Sequence, residues 1–377
     1  MTDNADCPSQ TRTQIRLSSG RFAESADERQ SSSRCAGWSI VKRGQHLDHV
    51  SQSLRGTHQG NPTKYSCPPL RPESQRGENF LACRRSRPIA GRQERLRYIS
   101  AERCGECETL KPVAFITGGS SGIGLAAAQE LLKCGYRVVL AARRSNGLEN
   151  AVAYLRERHA VAEDIFARSL DVCHAGHCAA ILGEIERDIG PIDYVLAAAG
   201  IAEPGLFVEQ DLEAHRRHME ANYFGTLNVI RPMAQKMVER QRGHLVLVSS
   251  GAAFVGIYGY SSYAPSKFAV RGLAETLRAE LADEGVSVSV AFPPDTDTPQ
   301  YHAEQATKPS VTKAISAGGG LFSAGSVAER IVRQSLAGHF LITQGAGLSV
   351  LRWIHSLYAP FFLRQQAKLA RKMKPQG

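Results

Sequence analysis

A chain of 377 residues that is 42% hydrophobic has material for one large domain or two ordinary ones, and its composition suits a soluble globular protein. Its net charge of +10 is unevenly spread: residues 1–111 hold 19 basic against 12 acidic side chains, and Arg364, Lys368, Arg371, Lys372 and Lys374 form a basic cluster at the end. The region between is close to neutral, so the excess reads as solvated flanks, and no nucleic-acid partner is expected.

Residues 1–110 sustain neither a helical nor a strand period and are dominated by Ser, Arg, Gln, Gly and Pro. Such a stretch cannot bury enough apolar surface to offset chain entropy, and it is predicted to be a disordered extension. Of nine cysteines, six (Cys7, Cys35, Cys67, Cys83, Cys104 and Cys107) fall here. Cys104 and Cys107 have the spacing of a zinc or redox pair, but a closed zinc site needs four ligands and no second tight pair follows, so no metal is expected. There is no apolar run like that of a signal peptide, and nothing reaches the ~18 apolar residues of a spanning helix. The expected compartment is reducing and cytoplasmic, with free thiols.

From Lys111 the pattern changes. Val113–Thr117 is an apolar strand that runs into a glycine-rich turn and a helix near Ile123–Cys134. Arg137–Ala142 is a second strand, followed by a helix around Leu148–Arg158; further strands are predicted at Ile165–Leu170, Ile192–Ala198, His244–Ser249 and Val286–Phe292. Apolar strands alternating with helices predict an α/β fold of Rossmann type, a doubly wound parallel sheet with helices on both faces, over residues 111–345. Such sheets bind ligands at the carboxyl ends of their strands.

The turn after the first strand reads Thr117-Gly118-Gly119-Ser120-Ser121-Gly122-Ile123-Gly124. Gly118 permits a tight turn, Gly122 lets backbone approach a pyrophosphate, Gly124 lets helix pack on strand, and the helix start offers free N–H groups. Where an NAD enzyme closes its second strand with a carboxylate, this chain has Ala142-Arg143-Arg144. Arg143 is predicted to grip a 2′-phosphate, making the cofactor NADPH/NADP+. Asp171, closing the third strand, either meets the adenine or caps a helix.

Tyr263 and Lys267 are four residues apart, which on a helix sets them on one face. An ammonium there is expected to lower the phenol pKa, so that Tyr263 can protonate a carbonyl oxygen as hydride reaches carbon. Ser250, following the strand over His244–Ser249, can donate a hydrogen bond to that oxygen.

These residues resemble those of the short-chain dehydrogenase/reductase family over about seven-tenths of the chain. The family's serine–tyrosine–lysine set matches Ser250, Tyr263 and Lys267 with its thirteen-residue gap from serine to tyrosine, and its helical asparagine matches Asn222. The resemblance implies that Asn222 supports a proton relay through water to Lys267 and that Lys267 also anchors the 2′ and 3′ positions of a cofactor ribose. It further implies cofactor contacts at Ser120, Ser121, Ile123, Ala199, Gly200, Tyr263, Pro293, Thr296 and Thr298. Two departures stand out. Ala197-Ala198-Ala199-Gly200 replaces Asn-Asn-Ala-Gly, which removes a brace, and Gly147 stands where relatives carry a cofactor-side lysine. Within the family, Phe292-Pro293-Pro294-Asp295-Thr296-Asp297-Thr298-Pro299, with Lys308-Pro309 and Ile315-Ser316, resembles the 3-ketodihydrosphingosine (3-dehydrosphinganine) reductases. That likeness implies NADPH-dependent reduction of 3-dehydrosphinganine to sphinganine. The same chemistry on another lipid or steroid ketone is the alternative, and a non-catalytic NADPH-binding, membrane-associated protein is a further one.

Residues 346–377 read as an amphipathic basic tail. Apolar residues over Leu348–Leu363 precede the cations, as in a segment lying peripherally on the cytoplasmic face of an anionic membrane. The same side chains could instead cover the substrate cleft or a second subunit of a homo-oligomer. Arg352, His355 and Pro360 interrupt the run, and Pro360 is expected to break its helix.

Overall fold

In the computed structural model of this chain, residues 111–159 and 162–373 are described. The extension over 1–110, with the disorder expected of it and the Cys104–Cys107 pair, lies outside them, as does Lys374.

The first half alternates β1 (Val113–Thr117), α1 (Gly122–Lys133), β2 (Arg137–Ala142), α2 (Ser145–Arg158), β3 (Ile165–Ser169), α3 (Ala175–Asp188) and β4 (Ile192–Ala197). Then follow α4 (Leu212–His218), a π-helical turn (Met219–Phe224), α5 (Gly225–Glu239), β5 (Gly243–Val248), α6 (Tyr263–Glu280) and β6 (Val286–Phe292). The last part contains β7 (Thr296–Asp297), α7 (Pro299–Glu304), α8 (Ser310–Ser316), β8 (Phe322–Ser323), α9 (Ala324–Leu336), β9 (Leu341–Thr343) and α10 (Ala346–Met373).

Seven strands form one parallel sheet in the order β3-β2-β1-β4-β5-β6-β9. Its strands are apolar on both sides because both sides are covered. Phe115, Val139, Val195 and Leu247 face a layer that includes Ile185, Met233 and Val270. Ile116, Leu140, Leu196 and Val246 face another that includes Leu131, Leu155 and Ile331. Burial from water on both faces is what a fully parallel sheet requires. The order reverses between β1 and β4, and the crevice opened there lies at the carboxyl ends of the strands.

Besides the unexpected short pair β7–β8, two elements depart from the sequence reading. The sheet has a seventh strand, β9, of only three residues beside Val290–Phe292, too short to display a period. Pro360 does not end the last helix: α10 runs unbroken over 28 residues. Pro360 and Ser356 are both exposed, so the carbonyl that loses its helical donor can turn to water.

His244 on β5 supplies a measurable consequence of this packing. The Ser289 hydroxyl spends its proton on the His339 carbonyl at 2.7 Å, so His244 Nε2 must donate to Ser289 Oγ at 2.9 Å. Burial, and then the Arg278 charge, push the imidazole down to about 4 from 6.5. Because the folded pKa is depressed, the stabilisation is complete above pH 6.5 and is lost as pH falls towards 4. Lowering pH from 6.5 to about 5, above most carboxylate titration, should remove about 1.5 kcal/mol of unfolding free energy. His244→Gln should flatten that slope in denaturant melts; an unchanged slope would refute the assignment.

Candidate active site

A cavity of about 760 Å³ runs along the carboxyl edge of the sheet. Its wall includes Gly118, Ser120, Ser121, Gly122, Ile123, Gly124, Arg143, Asp171, Ala199, Gly200, Ser250, Tyr263, Lys267, Pro293, Thr296 and Thr298. Every residue proposed from the sequence lies on it except Asn222, which is fully buried behind it.

The glycine turn carries the chain from β1 into α1. Gly122 has φ +54°, a left-handed conformation that L side chains rarely adopt. At Gly124 a methyl would run into the Gly118 carbonyl, so only glycine lets α1 start this close to β1. No side chain caps the start of α1, leaving its N–H groups facing the cavity. Arg143 is exposed at the end of β2, without an acidic neighbour on that strand. An uncapped helix start and a guanidinium at this spacing fit a dinucleotide with a pyrophosphate and a further phosphate.

Asp171 is not a helix cap: its Oδ1 accepts from the Cys173 N–H at 3.0 Å, and His174 precedes α3. Burial would raise its pKa, but the Cys173 hydrogen bonds and the Arg143 charge outweigh it and hold the carboxyl below its usual range. The triple alanine after β4 is braced from β1, whose Thr117 Oγ1 accepts from the N–H groups of Ala198 (3.1 Å) and Ala199 (3.0 Å).

Tyr263 opens α6 and Lys267 follows one turn on, its Nζ 5.8 Å from the phenol ring centre. Lys267 Nζ donates to the Val248 carbonyl at 3.1 Å, and the Lys267 carbonyl accepts from Ser249 Oγ at 2.8 Å, so α6 is pinned to the end of β5. The Ser250 hydroxyl lies close enough to Tyr263 to lower its pKa, and it accepts from the Ala252 N–H. Asn222 sits in the π-helical turn. Its amide donates to the Ile201 carbonyl (3.0 Å) and Ser266 Oγ (2.9 Å), while its Oδ1 accepts from the Ile201 N–H (2.7 Å).

The expected lowering of the tyrosine pKa is not found. Burial foremost, then the Glu304 and Asp295 carboxylates, push Tyr263 above the ordinary phenol value, against a lowering by the Ser250 hydrogen bond. Lys267 itself falls to about 8 because it is buried. Spacing on one helix face brings ammonium and phenol together, but it does not reveal that both are desolvated or that a carboxylate shares their pocket.

That carboxylate is the feature sequence reasoning missed. Glu304 ends α7 and lies on the cavity wall, accepting from the Tyr260 hydroxyl at 3.1 Å; the Tyr260 ring is 5.3 Å from the Tyr263 ring. Beside it Lys308 pairs with Asp295 at 3.3 Å. The only sequence signal was the helical spacing of Glu304 and Lys308, which by itself suggests a surface pair. α10 contributes Leu348, Leu351 and Phe362 to the same cavity, and Gln366 clamps it by accepting from the Tyr258 N–H (2.7 Å) and donating to the Gly256 carbonyl (2.9 Å). Its outer face carries Val350, Trp353, Ile354, Leu357 and Phe361, all exposed. Among the described residues no helix is long and apolar enough to cross a membrane.

Comparison with known proteins agrees with this architecture. A 3-dehydrosphinganine reductase of Danio rerio is 36% identical over 233 residues, covering 61% of this chain and 70% of that protein. A 3-ketodihydrosphingosine reductase of Dictyostelium discoideum is 44% identical over 175 residues, 46% of this chain and 52% of its own. A solved actinorhodin polyketide ketoreductase with NADPH superposes with a TM-score of 0.57 at 28% identity, covering 63% of this chain and 97% of that one. The family model for short chain dehydrogenase matches residues 112–309, which hold the glycine turn, Tyr263 and Lys267, and the chain belongs to that family.

Proposed function

We propose that this protein reduces the ketone of 3-dehydrosphinganine to sphinganine with NADPH. The observation that carries the reading is that the cavity is continuous from the glycine turn and Arg143, past Tyr263, to the apolar side chains of α10. One wall suits a phosphorylated dinucleotide and the other a long alkyl chain. The curated relatives described above are named for this activity, and the solved ketoreductase is named with NADPH.

NADPH, when bound, supplies the hydride that adds to the carbonyl carbon. The carbonyl π electrons then pass to oxygen, which takes the Tyr263 proton, so the ketone becomes a secondary alcohol and Tyr263 is left as phenolate. Ser250 donates to the same oxygen and fixes its position. Lys267, held by the Val248 carbonyl, stabilises the phenolate through its positive charge. Asn222 positions the loop after β4 over Lys267 and supports return of a proton from solvent.

We further assign the outer face of α10 to the surface of an anionic membrane. Val350, Ile354, Leu357 and Phe361 follow a helical stripe, and Arg364, Lys368 and Arg371 continue it. Trp353 and Leu357 are 74% and 85% exposed, an exposure that burial in a leaflet would relieve.

Tyr263→Phe should lower turnover of 3-dehydrosphinganine by at least about 100-fold with little change in NADPH affinity, since general acid catalysis supplies roughly 100- to 10,000-fold. Retention of a tenth of the activity would sink the role. Arg143→Asp should cut the preference for NADPH over NADH by about tenfold or more in steady-state assays; a wild type that already prefers NADH would overturn the assignment. Flotation with anionic vesicles should be salt-sensitive and should fall sharply when Trp353 and Phe361 are both replaced by Ser. Flotation of the double variant at the wild-type level would remove the membrane role.

A further inference from the structure

Glu304 is an unusual group to find beside a catalytic phenol. It is the last residue of α7, an end of a helix where negative charge is disfavoured. Its two oxygens accept only from neutral donors, the Tyr260 hydroxyl at 3.1 Å and the Gln300 amide at 3.3 Å. Among the described residues it has no ion pair. The nearest cation, Lys308, is committed elsewhere. Its Nζ pairs with Asp295 and lies 5.6 Å from the ring centre of Tyr260 and 5.5 Å from that of Tyr301. Burial foremost raises the Glu304 pKa, against the lowering by its two hydrogen bonds and by the Lys308 charge, which makes no direct ion pair with it. Glu304 lies on the wall of the catalytic cavity, where its charged form hinders Tyr263 from ionising.

We infer that Glu304 is the receptor for a substrate ammonium group on the carbon next to the reacting ketone, and so sets specificity for α-amino ketones. This rests on the function proposed above, because 3-dehydrosphinganine carries its amine at that position. The geometry matches: Tyr260 bridges the two sites, its ring against Tyr263 and its hydroxyl on Glu304. Tyr263, Ser250 and Glu304 line one cavity with Leu348, Leu351 and Phe362, so in this reading a ketone on Tyr263 and Ser250 shares that cavity with Glu304 and with an apolar path for its alkyl chain. Binding would give Glu304 a direct ion-pair partner. It would also cancel the charge that opposes phenolate formation at Tyr263, so that the amine assists proton transfer as well as binding. Asp295, already paired with Lys308, is not available for the same task.

The test compares 3-ketosphinganine with 1-hydroxyoctadecan-3-one, which keeps the ketone, hydroxyl and chain but lacks the amine. Wild-type enzyme should favour the amine in kcat/KM by at least about tenfold, the scale of a charge-assisted hydrogen bond. Glu304→Gln, which keeps the side-chain shape and one acceptor oxygen but removes the charge, should reduce that preference by about 10- to 100-fold, mainly through KM. A purely structural role would lower both substrates alike and leave the ratio unchanged, which overturns the inference. Should the variant fail to fold, as judged by loss of NADPH binding, the wild-type ratio decides: no preference for the amine refutes the receptor. Wild-type turnover of 3-ketosphinganine without such a preference removes this inference alone. Turnover of other ketones without 3-ketosphinganine removes the proposed function with it.

Discussion

The burial of every strand on both faces is the constraint from which the site follows. A strand with no solvated side cannot be joined to its parallel neighbour by a tight turn. The chain must cross over the sheet through a helix each time, so all carboxyl ends arrive at one edge. That edge receives the glycine turn from β1, Arg143 from β2, Asp171 from β3, the alanine loop from β4 and Ser250 from β5. Residues more than a hundred positions apart converge without any local segment encoding their meeting. The reversal of strand order between β1 and β4 then opens the crevice that the cavity occupies.

The catalytic end of the crevice is held by backbone as much as by side chains. Lys267 is fixed at both its ammonium and its carbonyl to the end of β5, and Asn222 ties the segment after β4 to α6 through Ile201 and Ser266. His218 adds a buried ring against Tyr263, with centres 6.2 Å apart. Its Nε2 accepts from the Glu203 N–H, while its Nδ1 faces the Ala214 carbonyl at 2.6 Å, so a neutral imidazole satisfies both contacts. The phenol is thus enclosed by groups that bear no positive charge apart from Lys267. Burial is the foremost influence that holds the phenol protonated, and the Glu304 and Asp295 carboxylates add to it.

Strand positions were legible because the sheet core demands uninterrupted apolar runs. Val113–Thr117, Arg137–Ala142 and Val286–Phe292 occur with the bounds read from the sequence, β3 and β4 each end one residue early, and β5 is shifted by one residue at both ends. The glycine turn and the Tyr263–Lys267 pair were legible because a backbone approach and a shared helix face each need a fixed spacing. What stayed hidden depended on tertiary surroundings. β9 is a strand only because β6 offers it a free edge. Pro360 is tolerated because its side of α10 faces water, which a proline in a sequence does not declare. Glu304 and Lys308 look like an ordinary helical pair, yet the fold turns Lys308 to Asp295 and leaves Glu304 facing the cavity.

The contact at Gly124 limits how this site can change over evolutionary time. Most crowded positions in a protein core can be relieved by trimming a neighbouring side chain, so a larger residue arrives together with a smaller one. Here the obstacle is the carbonyl oxygen of Gly118, part of the main chain itself. Main-chain atoms are common to all amino acids, so no second substitution can make room. The position is therefore isolated in sequence space: every alternative meets the same atom, and variation must flow around it through the residues that face the substrate.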